Sequence, residues 1–278
     1  MVPAMSDLPP LTDRAALTRL RDRARVRGPD LFLHEAAAAE IEERLSEVNR
    51  RFTEPAVVTA FPEIWQSRLP GATLVADDEV LALAPGAHDL VIHAMALHWA
   101  NDPVGQIIQS ARALKPDGLF LAVLPGGRTL AELRACLAEA ESRLTGGLSP
   151  RVLPMGEIRD LGALLSRAGL ALPVADAVTL TASYRDLPHL AADLRAMGEG
   201  NALAARSRIP GRRALFAEAA RLYAETWPAP EGRITATYEL IFLTGWAPHP
   251  SQQKPLRPGS AMARLADALK PQDEGAGK

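Results

Sequence analysis

The chain has 278 residues, of which 47% are hydrophobic, and its formal net charge at pH 7 is −2. This length suits one domain with an insertion or two small domains. The near-neutral charge gives no indication of nucleic acid or an anionic membrane as a partner. The single cysteine, Cys136, excludes a disulfide framework within one chain. Since we also find no apolar run long enough for a membrane span and no secretory signal pattern, we expect a cytoplasmic protein without a membrane span.

The first 50 residues are predicted to form N-terminal helices. The pattern indicates two of them, over residues 13–25 and 31–49, with Asp13 and Asp30 as caps. The first helix is strongly basic, with arginine at positions 14, 19, 21, 23, 25 and 27. These arginines are interpreted either as a solvated helix face or as a contact surface for an acidic partner or for phosphates.

Short apolar strands and helices alternate over the next hundred residues. Residues 55–60, 72–76, 89–94 and 119–124 are candidate strands, and residues 89–94 lack the alternation of a half-buried strand. This order predicts a doubly wound α/β sheet. We predict that residues 51–145 and 232–247 form the sheet core and that residues 146–231 form a helical cap or insertion. The long strand near residues 234–246 is expected to return antiparallel to the sheet, before an irregular tail over residues 248–278 that holds a short helix near residues 261–269.

Several short motifs occur in one order along residues 11–262. They include VADDE at 75–79, DLV at 89–91, LHWAND at 97–102, LKPDG at 114–118, GRTLAELR at 127–134, GGLSP at 146–150, DLGALLSRAG at 160–169, MGEGN at 197–201, ATY at 236–238, GW at 245–246 and RPGSA at 257–261. This ordered set resembles the class I S-adenosylmethionine (SAM) methyltransferases. The resemblance is closest to bacterial relatives of the mitochondrial complex I assembly-factor methyltransferase-like proteins, which are arginine hydroxylases. It is more distant to the malonyl-carrier methyltransferases of the biotin pathway.

The resemblance implies a Rossmann-like methyltransferase fold and SAM as cofactor. It also implies a protein partner, either a respiratory complex subunit or a carrier protein. Asp77 is the position that matches the acid contacting adenine. Asp78 and His93 are further candidates for cofactor contact, although His93 in a buried strand also suits a place in the core.

One part of the family pattern is missing. The loop after the first strand should contain glycines that let the backbone approach the cofactor, yet residues 56–65 contain none. Only 38 residues separate Arg50 from Asp89, so we infer a fold truncated in the cofactor half, with one strand and one helix lost. We therefore expect weak SAM binding, and little loss of stability when Asp77 is replaced.

Candidate site residues cluster at the ends of strands, where α/β sheets bind ligands. His98 and Tyr238 are the catalytic candidates, and Trp99, Glu199 and Asn201 the candidates for substrate contact. Trp99 and Tyr238 equally suit packing.

No set of histidines and carboxylates has the spacing of a metal site. Two functional hypotheses stay open. The first is a SAM-dependent methyltransferase, or a hydroxylase relative, that acts on a protein or carrier. The second is a non-catalytic methyltransferase fold that binds a partner. The insertion is expected to lie above His98 and Trp99. Its four arginines at 206, 208, 212 and 213 are either solvated or form a basic lip for an acidic segment.

Overall fold

The computed structural model describes residues 9–253. Eight α-helices lie within these residues, and two short 3-10 turns cover Leu97–Trp99 and Pro230–Gly232. The helices are α1 (Arg14–Arg27), α2 (Phe32–Glu47), α3 (Pro62–Arg68), α4 (Pro103–Ala113), α5 (Ala131–Thr145), α6 (Ile158–Arg167), α7 (Leu187–Ala196) and α8 (Arg213–Thr226). The strands are β1 (Pro55–Thr59), β2 (Thr73–Val75), β3 (His88–Ala94), β4 (Leu114–Pro125), β5 (Ala171–Tyr184), β6 (Pro228–Ala229) and β7 (Arg233–Trp246).

One mixed sheet organises the fold. Its strand order is β2-β1-β3-β4-β7-β5, and the short β6 pairs with β7. The first four strands are parallel, whereas β7 runs antiparallel between β4 and β5. The antiparallel return of the last long strand, predicted from the sequence, is therefore confirmed.

The central strands are apolar on both faces because each face packs against helices. All residues of β1 and β3 are buried. Side chains alternate between two core clusters: Val57 and Ile92 belong to one, while Ala56 and Val91 belong to the other. A strand whose two faces both reach a core needs no polar alternation, which explains the continuous apolar run of β3.

The predicted cap at Asp13 is confirmed, and Asp102 caps α4 in the same way. The Asp13 carboxylate accepts a hydrogen bond from the Ala16 N–H at 2.9 Å, and Asp102 accepts one from Gly105 N–H at 2.7 Å. The prediction that Asp30 caps the second helix is wrong, because α2 starts after Leu31 without a side-chain cap.

The half of the sheet that holds β1 and β2 is short. The strand β2 has three residues, and no helix lies between β2 and β3. A Rossmann sheet has the order 3-2-1-4-5-6; in the described chain β2 is the edge, and no further strand lies beyond it.

The segment 146–231 departs from the predicted helical cap. It holds α6, α7 and α8, but its strand β5 pairs with β7 over most of its length and forms the other edge of the sheet. The physical reason is that residues 171–184 alternate in exposure, as suits a strand with one face covered. The predicted irregular tail lies largely outside the described residues; those after Pro248 begin a separate unit, with a turn closed by the Gln252 N–H on His249 O.

Candidate functional site

The candidate site lies at the carboxyl edge of the parallel strands. The chain leaves β1 toward β2 on one side, while β3 pairs on the other side of β1. This is the topological switch point of the sheet, where α/β proteins bind ligands. The backbone after Thr59 and after Ala94 therefore borders the expected cofactor crevice, and two cavities lie near it.

The first cavity, called here the arginine cavity, measures about 290 Å³. It is bounded by α1, the end of β1 and the residues after β2. Its charged lining consists of Arg14, Arg21, Arg25, Asp77 and Asp78. This is the side of the crevice in which the resemblance places adenosine.

Asp77 is already bound by the protein in this cavity. Nη1 of Arg21 lies 2.9 Å from both carboxylate oxygens of Asp77, and Nη1 of Arg14 donates to Oδ2 at 3.2 Å. Both Asp77 and Arg21 are buried, with side chains 7% and 6% exposed. Burial acts to raise the pKa of Asp77, but the two guanidinium groups outweigh it and lower that pKa. Asp77 is thus a structural counter-ion, which contradicts the expectation that its loss leaves stability unchanged.

Phe61 occupies the position after β1 where the family has glycine. The Phe61 side chain is fully buried. Its ring centroid lies 4.8 Å from the ring of His34 and 5.4 Å from Cζ of Arg25. A Cβ atom placed on Gly198 would lie 3.4 Å from Phe61 Cζ, so the crevice is filled from this side as well.

SAM does not fit the residues present at this crevice. The buried Phe61 ring fills space beside the end of β1, and Asp77 has no carboxylate oxygen free of arginine contacts. We therefore assign no reaction step to SAM in this chain.

The second cavity, called here the apolar cavity, measures about 400 Å³. It lies beside the end of β4, between α5 and the segment 146–231. Four predicted site residues line it, namely Trp99, Glu199, Asn201 and Tyr238. The rest of its lining is mostly leucine, methionine and other apolar side chains, with Arg151 and Arg195 among the exceptions.

Glu199 reaches this cavity because of how α7 ends. Gly198 adopts a φ of +75°, a conformation that favours glycine, and the Glu199 N–H donates to Leu194 O at 2.8 Å. The chain then turns toward the 3-10 turn after β3. Trp99 Nε1 donates to Glu199 Oε2 at 2.7 Å, and His98 Nε2 lies 3.1 Å from the same oxygen. The residues that follow α7 therefore lie against His98 and Trp99, whereas β5 of the same segment lies in the sheet.

The Glu199 carboxylate is charged, and among the described residues only one of its two oxygens has a hydrogen-bond partner. Burial acts to raise its pKa, but His98, His34 and Arg21 outweigh burial and lower the pKa to about 2. The other oxygen, Oε1, is buried and has no hydrogen-bond partner within residues 9–253. A buried carboxylate oxygen without a donor is rare, so Oε1 has capacity for one further hydrogen bond.

Tyr238 and Asn201 are held by structural contacts. The Tyr238 hydroxyl lies 2.9 Å from that of Tyr184, and burial raises the pKa of Tyr238. Tyr238 is therefore neutral and unsuited to act as a base. The Asn201 amide donates to Pro150 O at 2.9 Å, and its oxygen accepts from Leu203 N–H at 3.1 Å. Both residues line the apolar cavity, but their polar groups fix loops.

Asp78 lines the arginine cavity together with Asp77, whereas His93, the third candidate for cofactor contact, does not. His93 is fully buried, lies 2.7 Å from Gln106 Oε1, and lines neither cavity. Burial lowers the pKa of His93 to about 4, so it is a neutral core residue. Asp78 is exposed at the rim of the arginine cavity. Within the described residues, no group of histidine, cysteine or acidic side chains could hold a metal ion, and no helix is long and apolar enough to cross a membrane.

Three residues of the site were not identified from the sequence: Arg21, His34 and Phe61. A signal existed for Arg21, because Leu17, Arg21 and Ala24 follow helical spacing and share the buried face of α1. A charge on an apolar helix face requires a buried partner.

The four arginines predicted as either solvated or a basic lip are paired in part, since Arg206 and Arg208 both donate to Asp13, at 2.9 and 3.2 Å.

Comparisons with known proteins agree with this architecture. A sequence profile described as a methyltransferase domain matches residues 20–122. The chain is 36% identical over 204 residues to "Arginine-hydroxylase NDUFAF5, mitochondrial" of Danio rerio, covering 73% of this chain and 63% of that protein. The human protein of the same name is 37% identical over 202 residues, covering 73% of this chain and 58% of that protein. The chain thus spans about three-fifths of these mitochondrial relatives.

The chain covers a larger share of a relative from a second group. "Malonyl-[acyl-carrier protein] O-methyltransferase" of Gallionella capsiferriformans is 30% identical over 209 residues, covering 74% of this chain and 68% of that protein. The parallel sheet, its antiparallel β7 and these matches give one assignment. The chain belongs to the class I SAM-dependent methyltransferase superfamily.

Proposed function

We propose that this chain is a non-catalytic member of its superfamily that binds a partner protein through the apolar cavity and does not use SAM. The observation that carries this proposal is the filled crevice: Phe61 is buried where glycine is needed, and Arg21 holds both oxygens of Asp77. Superfamily membership favours the second candidate function, SAM-dependent methyl transfer.

Calorimetric titration of the full chain with SAM, and with its demethylated product, separates the two functions. We expect no binding tighter than a Kd of about 10 μM, which corresponds to about −7 kcal/mol. A tighter Kd for either compound would refute the loss of the cofactor site and favour methyl transfer.

The apolar cavity favours one kind of partner group. An apolar stem suits the leucine and methionine lining, and a terminal hydrogen-bond donor suits the unpartnered Glu199 Oε1. An arginine side chain has both parts. The name of the Danio rerio relative, an arginine hydroxylase, supports this choice. A malonyl group on a carrier protein carries a carboxylate instead, which the Glu199 charge disfavours.

We infer that the partner presents an arginine to Glu199. We further infer, from the resemblance described above, that the partner is a respiratory complex subunit. Here we assign binding only, with no reaction step. The test is a short peptide with a central arginine, compared with the same peptide carrying citrulline, which keeps the shape and removes the charge.

The arginine peptide should bind the wild-type chain more tightly than the citrulline peptide. Glu199→Gln should abolish that difference, because loss of a charged hydrogen bond costs about 1.5–3 kcal/mol. Glu47→Gln is the matched control, since Glu47 is exposed at the end of α2. Equal binding of both peptides to the wild type would contradict the assignment.

A further inference from the structure

Arg21 lines the arginine cavity and carries buried donors that the described part of the chain does not use. Arg21 is 5% exposed. Its Nη1 binds Asp77, but its Nε and Nη2 have no hydrogen-bond partner among residues 9–253. A buried guanidinium with two idle nitrogens is costly, and a ligand that accepts hydrogen bonds would remove this cost.

The charges around this cavity favour an anion. Three arginines line it, Arg14, Arg21 and Arg25, against two carboxylates, Asp77 and Asp78. The Glu199 carboxylate, which lines the apolar cavity, also acts on Arg21. Asp78 is exposed and so is Asp22, which pairs with Arg25 at 2.8 Å. Exposed carboxylates are well screened by water, so they offset the arginines only weakly.

The geometry of the cavity limits the size and shape of that anion. Its volume of about 290 Å³ lies at the lower end of ligand sites, which span about 300–1,000 Å³. It lies at the carboxyl ends of β1 and β2, the edge at which α/β sheets bind ligands. Guanidinium groups match the oxygens of a phosphoryl group in a two-point geometry.

We propose that the arginine cavity binds a small phosphate monoester. Arg21 and Arg25 hold the phosphoryl oxygens, and the small organic part contacts the apolar wall formed by Pro62, Leu74 and Val75. The crevice of the superfamily has in this chain been converted into an anion site. This assignment is independent of the partner at the apolar cavity.

The probes are inorganic phosphate and glycerol 3-phosphate, titrated calorimetrically into the full chain, with sodium chloride at equal ionic strength as the blank. We expect saturable binding of both with a Kd below about 1 mM, equivalent to about −4 kcal/mol. Binding of inorganic phosphate alone would overturn the monoester assignment, and no saturable binding of either probe would overturn the site.

Two variants locate the binding. Arg21→Lys keeps a charge beside Asp77 but removes the planar fork, and Arg25→Gln removes a charge from a side chain that is 42% exposed. Each should weaken glycerol 3-phosphate binding about tenfold or more, the loss of one charged hydrogen bond. Arg23→Gln is the control, because Arg23 is exposed on the same helix and does not line the cavity; it should change the Kd less than twofold.

Equal Kd values for Arg25→Gln, Arg23→Gln and the wild type would place the anion elsewhere and refute the assignment. If Arg21→Lys fails to fold by circular dichroism, Arg25→Gln against Arg23→Gln decides alone. The SAM titration is a separate test. SAM binding without phosphate binding would refute both this site and the proposed function. Phosphate binding together with SAM binding would refute only the proposed function.

Discussion

Replacement of Asp77 by alanine is expected to destabilise the chain strongly. The variant removes the carboxylate that holds Arg21, whose side chain is 6% exposed. Arg14 also loses its side-chain contact, but it is 25% exposed and can turn to water. The cost is therefore set by the buried guanidinium of Arg21, and breaking a buried ion pair from one side costs about 3–5 kcal/mol.

Urea unfolding measures this loss as a shift of the midpoint at constant m value. Asp22→Ala is the control, because Asp22 pairs with Arg25 in the same region but is 59% exposed, and its loss should cost less than about 1 kcal/mol. The double variant Arg21→Met, Asp77→Leu should regain most of the stability, since an apolar pair can replace a buried ion pair. A loss below about 1 kcal/mol for Asp77→Ala would show that Arg21 finds another partner, and would refute the reasoning.

Three further outcomes are expected. Burial lowers the pKa of His34 from 6.5 to about 4, so the free energy of unfolding should fall by about 3 kcal/mol as the pH decreases from 6.5 to 4 and the unfolded chain takes up a proton that the folded chain does not. In His34→Leu, the free energy from urea unfolding should depend less on pH across this range. Tyr238→Phe should cost about 1 kcal/mol in urea unfolding through the lost contact with Tyr184, with cavity binding unchanged; a change in arginine-peptide affinity would contradict its structural role. Arg208→Glu with Arg212→Glu should lower the melting temperature only slightly, because both side chains are exposed and the Arg208–Asp13 ion pair is screened by water. The double variant should slow partner capture at low salt in a kinetic binding assay; unchanged capture would show that these arginines do not contact the partner.

The elements that the sequence predicted well are those determined by local patterns. Strand β3 is buried along its whole length, as its lack of alternation predicted, and the Asp13 cap lies directly before its helix. The missed cap at Asp30 shows the limit of this reasoning, since tertiary packing starts α2 after Leu31 without a side-chain cap. Strand β5 lies in the segment predicted as a helical cap, because its place in the sheet depends on pairing with β7 some 60 residues later, which local pattern does not encode.

The site was predicted only in part, because local patterns identify its residues but not the contacts between them. His98, Trp99 and Glu199 were each candidates, because strand ends and glycine-flanked carboxylates are locally visible. Their shared contact joins residues about a hundred positions apart. The pairing of Arg21 with Asp77 spans 56 positions, and its arginine is one of six in a helix whose composition alone favours solvation. Helical spacing with Leu17 and Ala24 marks Arg21 as buried, but only the tertiary packing of α1 places it on Asp77.

The filling of the crevice does not depend on one position. Phe61 packs against His34 and Arg25, and a Cβ at Gly198 would lie 3.0 Å from Cγ of Arg21, so α1 and the end of α7 meet across the crevice. A glycine at position 61 would open space near β1, yet Asp77 would remain bound by Arg21. To expose that carboxylate, α1 would have to leave the sheet edge, and the buried guanidinium would then lack its counter-ion. Because the aromatic plug and the ion pair both depend on α1, the closed crevice and the arginine cavity are two consequences of one packing arrangement, and selection on either would preserve the other.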